Sequence, residues 1–106
     1  MKIAVSSTGG SLEALLSEQF GRCSYFIIFD SNSSKFEAIS NLGENYQSGA
    51  GPKAASLIKE RGAEVILTGH VGDKAEDALN RAGIRIVDGF ASDLSVRDAI
   101  TNFLSR

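Results

Sequence analysis

Hydrophobic positions run through this chain in two rhythms. The first third carries short continuous or alternating runs, and the rest carries stripes spaced three and four apart. Ile3–Ser7 opens as a short apolar strand. Tyr25-Phe26-Ile27-Ile28-Phe29 is almost wholly β-branched or aromatic, which predicts a buried central strand ended by Asp30. The next residues, Asp30-Ser31-Asn32-Ser33-Ser34, are dense in turn formers. Over Lys35–Ser40 the chain alternates, with Phe36, Ala38 and Ser40 on one side and Glu37 and Ile39 on the other. Two strands joined by a short polar turn form an antiparallel hairpin, and the more polar second strand suits a sheet edge. Between the first two strands, Leu12, Leu15 and Leu16 have helical spacing in a short segment, so Ser11–Phe20 reads as one turn of helix within a loop.

Beyond a polar, glycine-containing loop over Asn41–Gly51 the period becomes helical. Pro52 fits a first helical turn, Ala54, Ala55, Leu57 and Ile58 make an apolar stripe, and Gly62 stops the helix. Ala63–Thr68 contains the buried strand Val65-Ile66-Leu67. Asp73–Ala82 repeats Ala75, Ala78, Leu79 and Ala82 at i, i+3, i+4, i+7, and Gly83 caps it. Ile84–Val87 is a further strand. Ser95-Val96-Arg97-Asp98 resembles a capping box before a last helix with Val96, Ala99, Ile100 and Phe103 on its apolar face. The order β-β-β-α-β-α-β-α predicts a single α/β domain over residues 1–106. Its architecture would be ribonuclease-H-like: a five-stranded mixed sheet, three antiparallel strands then two parallel ones, the first strand beside the fourth, with helices on both faces.

Composition narrows the functional classes. A chain of 106 residues that is 42% hydrophobic can bury a core of its own. A formal net charge of −2 argues against a nucleic-acid partner, which normally meets a basic face. The one cysteine, Cys23, cannot close an intramolecular disulfide. No signal-peptide pattern and no apolar run near the roughly 20 residues of a membrane span occurs, so a cytoplasmic protein without a membrane partner is expected.

Ligands of open α/β sheets bind beyond the carboxyl ends of the parallel strands. Those ends here are Ser6–Gly10, Thr68–Gly72 and Asp88–Phe90, all small, polar or glycine-rich. His70, the one histidine, stands between two of these glycines and could ligate a metal or carry a proton, or be a solvated side chain. Arg22 would favour the thiolate of Cys23, unless that cysteine is a small buried residue at a strand start. The two have no metal-motif spacing, and an iron–sulfur site usually takes four protein ligands. A cluster would therefore arrive assembled, held at one or two points, or be shared between subunits. Gly49-Ala50-Gly51-Pro52-Lys53-Ala54 fits G-x-G-x-x-A before a helix, but a polar loop separates it from the strand before, so an anion-binding helix start or a plain one is a better reading than a dinucleotide site. The first strand carries no acidic residue, which argues against a two-metal nuclease.

Phe20-Gly21-Arg22-Cys23-Ser24-Tyr25-Phe26 is similar to an F-G-R-[AC]-x-Y-F signature, and Gly51–Ala55 with its helix to Gly62 looks like a G-x-x-x-A…L…G segment. Gly69–Ala75 resembles a G-x-[IV]-G-x-x-A turn, followed by A-L-x-x-A-G-I at Ala78–Ile84. Together they resemble the dinitrogenase iron–molybdenum cofactor biosynthesis family, which includes NifX-like and NafY-like carriers and the C-terminal domain of NifB. The resemblance implies a non-enzymatic carrier of iron–molybdenum cofactor precursors or related metal–sulfur clusters. Its cleft would be lined by Ser7, Gly9, Arg22, Cys23, Gly49, Gly51, Gly69, His70 and Gly72, with Cys23 and His70 as metal-ligand candidates and Arg22 and Lys53 facing an anionic cluster. Cluster-assembly or redox proteins would be partners, and a homodimer is conceivable. The other readings are a cofactor-free regulatory or interaction domain, and an enzyme acting on a small phosphorylated ligand.

Overall fold

The computed structural model describes residues 1–41 and 49–106. Its elements run β1 (Lys2–Ser7), β2 (Tyr25–Asp30), β3 (Phe36–Ser40), α1 (Ala50–Glu60), β4 (Val65–Leu67), α2 (Asp73–Arg81), β5 (Arg85–Val87) and α3 (Val96–Leu104). They form one five-stranded sheet in the order β3-β2-β1-β4-β5. β1 and β2 pair antiparallel from Lys2↔Asp30 to Ser7↔Tyr25, and β2 pairs antiparallel with β3. β4 lies parallel to both β1 and β5. This is the mixed sheet that the hydrophobic pattern predicts, with the polar strand at one edge.

Central strands are apolar on both sides because both sides are covered. On one face Ala4, Phe26, Ile28 and Ile66 meet Ala54, Ala55 and Ile58 of α1 and Ala75 and Leu79 of α2. On the other, Ile3, Val5, Ile27, Val65 and Leu67 meet Val96, Ala99, Ile100 and Phe103 of α3. The helix ends follow their punctuation. Gly62 and Gly83 adopt positive φ just past α1 and α2, and the Ser95 hydroxyl accepts the Asp98 N–H at 3.0 Å. Among the described residues no helix is long and apolar enough to cross a membrane.

Two expectations are refined. Ser11–Phe20 is a loop with one turn in it, as expected, but Leu15 and Leu16 lie beyond that turn. The Ala14 N–H closes one turn onto Ser11, after which Leu15 bridges Ser95 and Leu16 bridges Ser7 in antiparallel fashion. A single isolated turn gains one hydrogen bond for several fixed dihedrals. Here the backbone finds partners across the fold instead, Leu16 N–H to Leu94 and Ser17 N–H to Ser6, while the Leu16 side chain is fully buried against the α3 core. The loop predicted over Asn41–Gly51 falls largely on residues 42–48, outside the described residues, but its last two, Ala50 and Gly51, are already helical.

Candidate functional site

Two chain segments and two helix starts surround a cleft of about 480 Å³. The segment after β4 carries His70 and Gly72, and the segment before β2 carries Gln19, Phe20, Gly21 and Arg22. They are joined like a short strand pair: the His70 N–H donates to Glu18 C=O at 2.6 Å and the Phe20 N–H donates to His70 C=O at 3.1 Å. Phe20 is anchored in the core, its ring 5.3 Å from that of Phe26.

The other walls are the first turns of α1 and α2. Both N-caps are glycines, Gly49 and Gly72, so neither offers a side chain to the helix's unsatisfied N–H groups. The first intrahelical bonds are Lys53 N–H to Gly49 and Glu76 N–H to Gly72, which leaves the N–H groups of Ala50, Gly51, Asp73, Lys74 and Ala75 without intrahelical acceptors. The two helix starts approach closely because position 51 has no side chain. A Cβ there would stand 2.6 Å from the Cβ of Ala75. Each helix start carries a partial positive charge, and two converge on one cleft. Arg22 and Lys74 add cations to the lining, Asp73 adds a carboxylate, and His70 is exposed.

Of the residues singled out from the sequence, Arg22, Gly49, Gly51, His70 and Gly72 line this cleft together. Gly69 stands just outside, packed on Glu18, where a Cβ would come within 2.7 Å of backbone. Ser7 and Gly9 are not in the lining. The Ser7 hydroxyl turns back into its own loop, donating to Gly9 C=O at 2.7 Å and accepting the Gly9 N–H. Cys23 is 2% exposed and lies within the α1/α2 core, its thiol donating to Phe20 C=O at 3.3 Å. Lys53 is exposed outside the lining. Gln19, Lys74 and Ala75 were not anticipated as site residues, although Lys74 and Ala75 fall within the G-x-[IV]-G-x-x-A turn. Among the described residues, no group of three or more His, Cys, Asp or Glu side chains is placed to hold a metal ion.

Known proteins share this fold. Residues 1–106 match the family described as dinitrogenase iron-molybdenum cofactor. A relative of uncharacterized function from Methanocaldococcus jannaschii is 33% identical over 92 residues, 84% of this chain and 76% of the relative. The apo form of the orange protein from Desulfovibrio gigas superposes with a TM-score of 0.94 at 37% identity, covering 98% of this chain and 87% of that one. The NMR structure of a putative NifB protein from Thermotoga superposes with a TM-score of 0.85 at 30% identity, with the same coverages.

Proposed function

Because the chain belongs to the dinitrogenase iron–molybdenum cofactor family over its whole length, we propose that it is a carrier that holds an anionic metal–sulfur cluster, an iron–molybdenum cofactor precursor or a relative of it, in the cleft between the starts of α1 and α2. The observation that carries this reading is the convergence of two glycine-capped helix N-termini on one wall-lined cleft with Arg22 and Lys74. Helix starts bind anions through N–H groups and dipole. A metal–sulfide cluster is an anion rich in acceptor sulfur. Nothing in such a site changes covalently, which suits a carrier rather than a catalyst.

The donor set also fits a cluster held as an assembled anion. A cluster bound through protein ligands would want several thiolates, and the one cysteine sits behind Phe20 in the core. In the lining, His70 is the side chain better suited to bind a metal–sulfur cluster directly, through a ring nitrogen, since the Asp73 carboxylate is a hard oxygen donor. In this reading Gly49, Gly51, Gly72, Arg22, Lys74 and His70 contact the cargo, and Cys23 supports the wall behind them. A cluster so held exchanges without breaking protein–metal bonds at more than one point, as transfer between assembly or redox proteins requires.

The test is uptake. Protein purified without oxygen is mixed with an iron–molybdenum–sulfur cluster donor and passed over gel filtration, and the protein peak is assayed for metal and visible absorption. Metal co-eluting with charge-transfer bands is expected. A colourless, metal-free peak would sink the carrier reading in favour of a cofactor-free interaction domain.

A further inference from the structure

Arg22 reaches the cleft from a segment with no regular secondary structure, and one buried side chain fastens that segment on either side of it. Asn41 follows β3 directly and is 4% exposed. Its side-chain nitrogen donates to Gly21 C=O at 3.0 Å and to Cys23 C=O at 2.8 Å, the two carbonyls that flank Arg22. A primary amide nitrogen has two hydrogens, and two acceptors use both. With carbonyls on both sides, only the nitrogen end of the amide can face them. The Asn41 backbone N–H donates to Ser24 C=O at 2.9 Å, so a single residue holds three carbonyls within four residues of the same segment. The thiol of Cys23 completes the brace by donating to Phe20 C=O. Were the amide lost, the buried Cys23 carbonyl and the part-buried Gly21 carbonyl would lose this donor, and the segment would shift to rehydrate them.

We propose that Asn41 is a positioning residue that sets where Arg22 stands in the cleft. It acts on cargo only through that placement: it is not itself in the cleft lining, which it meets from behind at the Gly21 backbone. The inference deepens the anionic-cargo reading and rests on it for its consequence, though not for its structural core.

Asn41→Leu keeps the shape of the side chain and removes both donors. Two readouts test it. The first needs no ligand: backbone 15N heteronuclear NOE values at Gly21, Arg22 and Cys23 should fall toward loop values in the variant, with those of Ile66 and Leu67 unchanged. Unchanged values at 21–23 would overturn the proposal. The second uses tetrathiomolybdate, the simplest soluble molybdenum–sulfide anion, as probe. Asn41→Leu should weaken its binding roughly fivefold, and in the double variant with Arg22→Ala that loss should vanish, because neighbouring residues in one network are non-additive. Losses that simply add would overturn it. If wild-type protein ignores the probe, the cargo reading fails, while the NOE readout still decides the role of Asn41. Should Asn41→Leu not fold, Asn41→Ser retains one donor and should show the same changes at smaller size.

Discussion

Phe20 and His70 share one hydrogen bond that ties a buried ring to an exposed one. The Phe20 N–H donates to the His70 carbonyl at 3.1 Å, and the Phe20 side chain is packed in the core while His70 projects at the cleft. The position of the histidine is therefore set by core packing through backbone rather than by side-chain contacts. The join needs the two backbones to touch, which they do at Gly69, where a Cβ would overlap the Cα and carbonyl of Glu18 at 2.7 Å. Backbone cannot swing away as a side-chain tip can. Gly69→Ala is expected to lose about 1–3 kcal/mol of stability, the usual cost of overpacking. Urea unfolding measures it. A change below about 0.5 kcal/mol would mean the join tolerates separation.

Gly51 makes the corresponding approach between the two helix starts. A Cβ at 51 would meet the Cβ of Ala75 at 2.6 Å, and both groups are fixed to helical backbone. Gly51→Ala should push the starts of α1 and α2 apart, cost about 1–3 kcal/mol, and lower cluster retention more than its stability loss explains, since the dipoles no longer converge. Gain of helix propensity on replacing glycine, about 1 kcal/mol, opposes this and sets the lower bound. Retention equal to wild type at a temperature where the variant is fully folded would refute the link between helix approach and binding.

What the sequence made legible was whatever depends on local pattern. The strands Tyr25–Asp30 and Val65–Leu67, the helix stops at Gly62 and Gly83 and the Ser95 cap were readable because periodicity, turn chemistry and capping act over a few residues. Four residues of the cleft lining, Gly49, Gly51, His70 and Gly72, were readable because carboxyl ends of parallel strands and glycine-led helix starts have fixed places in such a fold, and Arg22 was readable from the F-G-R signature. What escaped depends on distant partners. Leu15 and Leu16 look helical by spacing, but their bridges go to Ser95 and Ser7. Ser7 stands at a strand end as expected, yet its hydroxyl is consumed by Gly9, a matter of rotamer and not of position. Asn41 looks like one more loop residue, since nothing local reveals the two carbonyls, eighteen and twenty positions earlier, that bury it.

Cys23 offers a direct contrast between packing and ligation. It is 2% exposed among Ala54, Phe20 and Phe26 of the same core. A thiol in that setting should react slowly with an aromatic disulfide reagent in native protein and at once in urea. Cys23→Ala removes one buried atom, so a loss of about 1 kcal/mol is expected by the scaling of small core truncations, with cluster retention unchanged. If the variant stays fully folded but loses bound metal, Cys23 is a ligand and the wall role assigned to it is wrong.

Asp73 supplies a test whose sign separates binding from stability. Its carboxylate lines the cleft and occupies the first position of α2, where a negative charge favours the helix start by about 0.3–1 kcal/mol. Replacing it with asparagine removes that term, so Asp73→Asn should unfold at slightly lower urea. The same charge repels an anion in the cleft, and its removal should tighten retention of an anionic cluster. At low ionic strength we expect roughly a fivefold gain, about 1 kcal/mol, shrinking as salt rises because the Debye length falls from about 10 Å at 0.1 M to about 3 Å at 1 M. Lys74→Gln, one residue on, should shift retention the opposite way by a similar factor with the same salt dependence. Opposite shifts that fade together with salt would mark an electrostatic site. A neutral effect of both substitutions would mean that charge at the α2 start does not hold the cargo, and attention would move to His70.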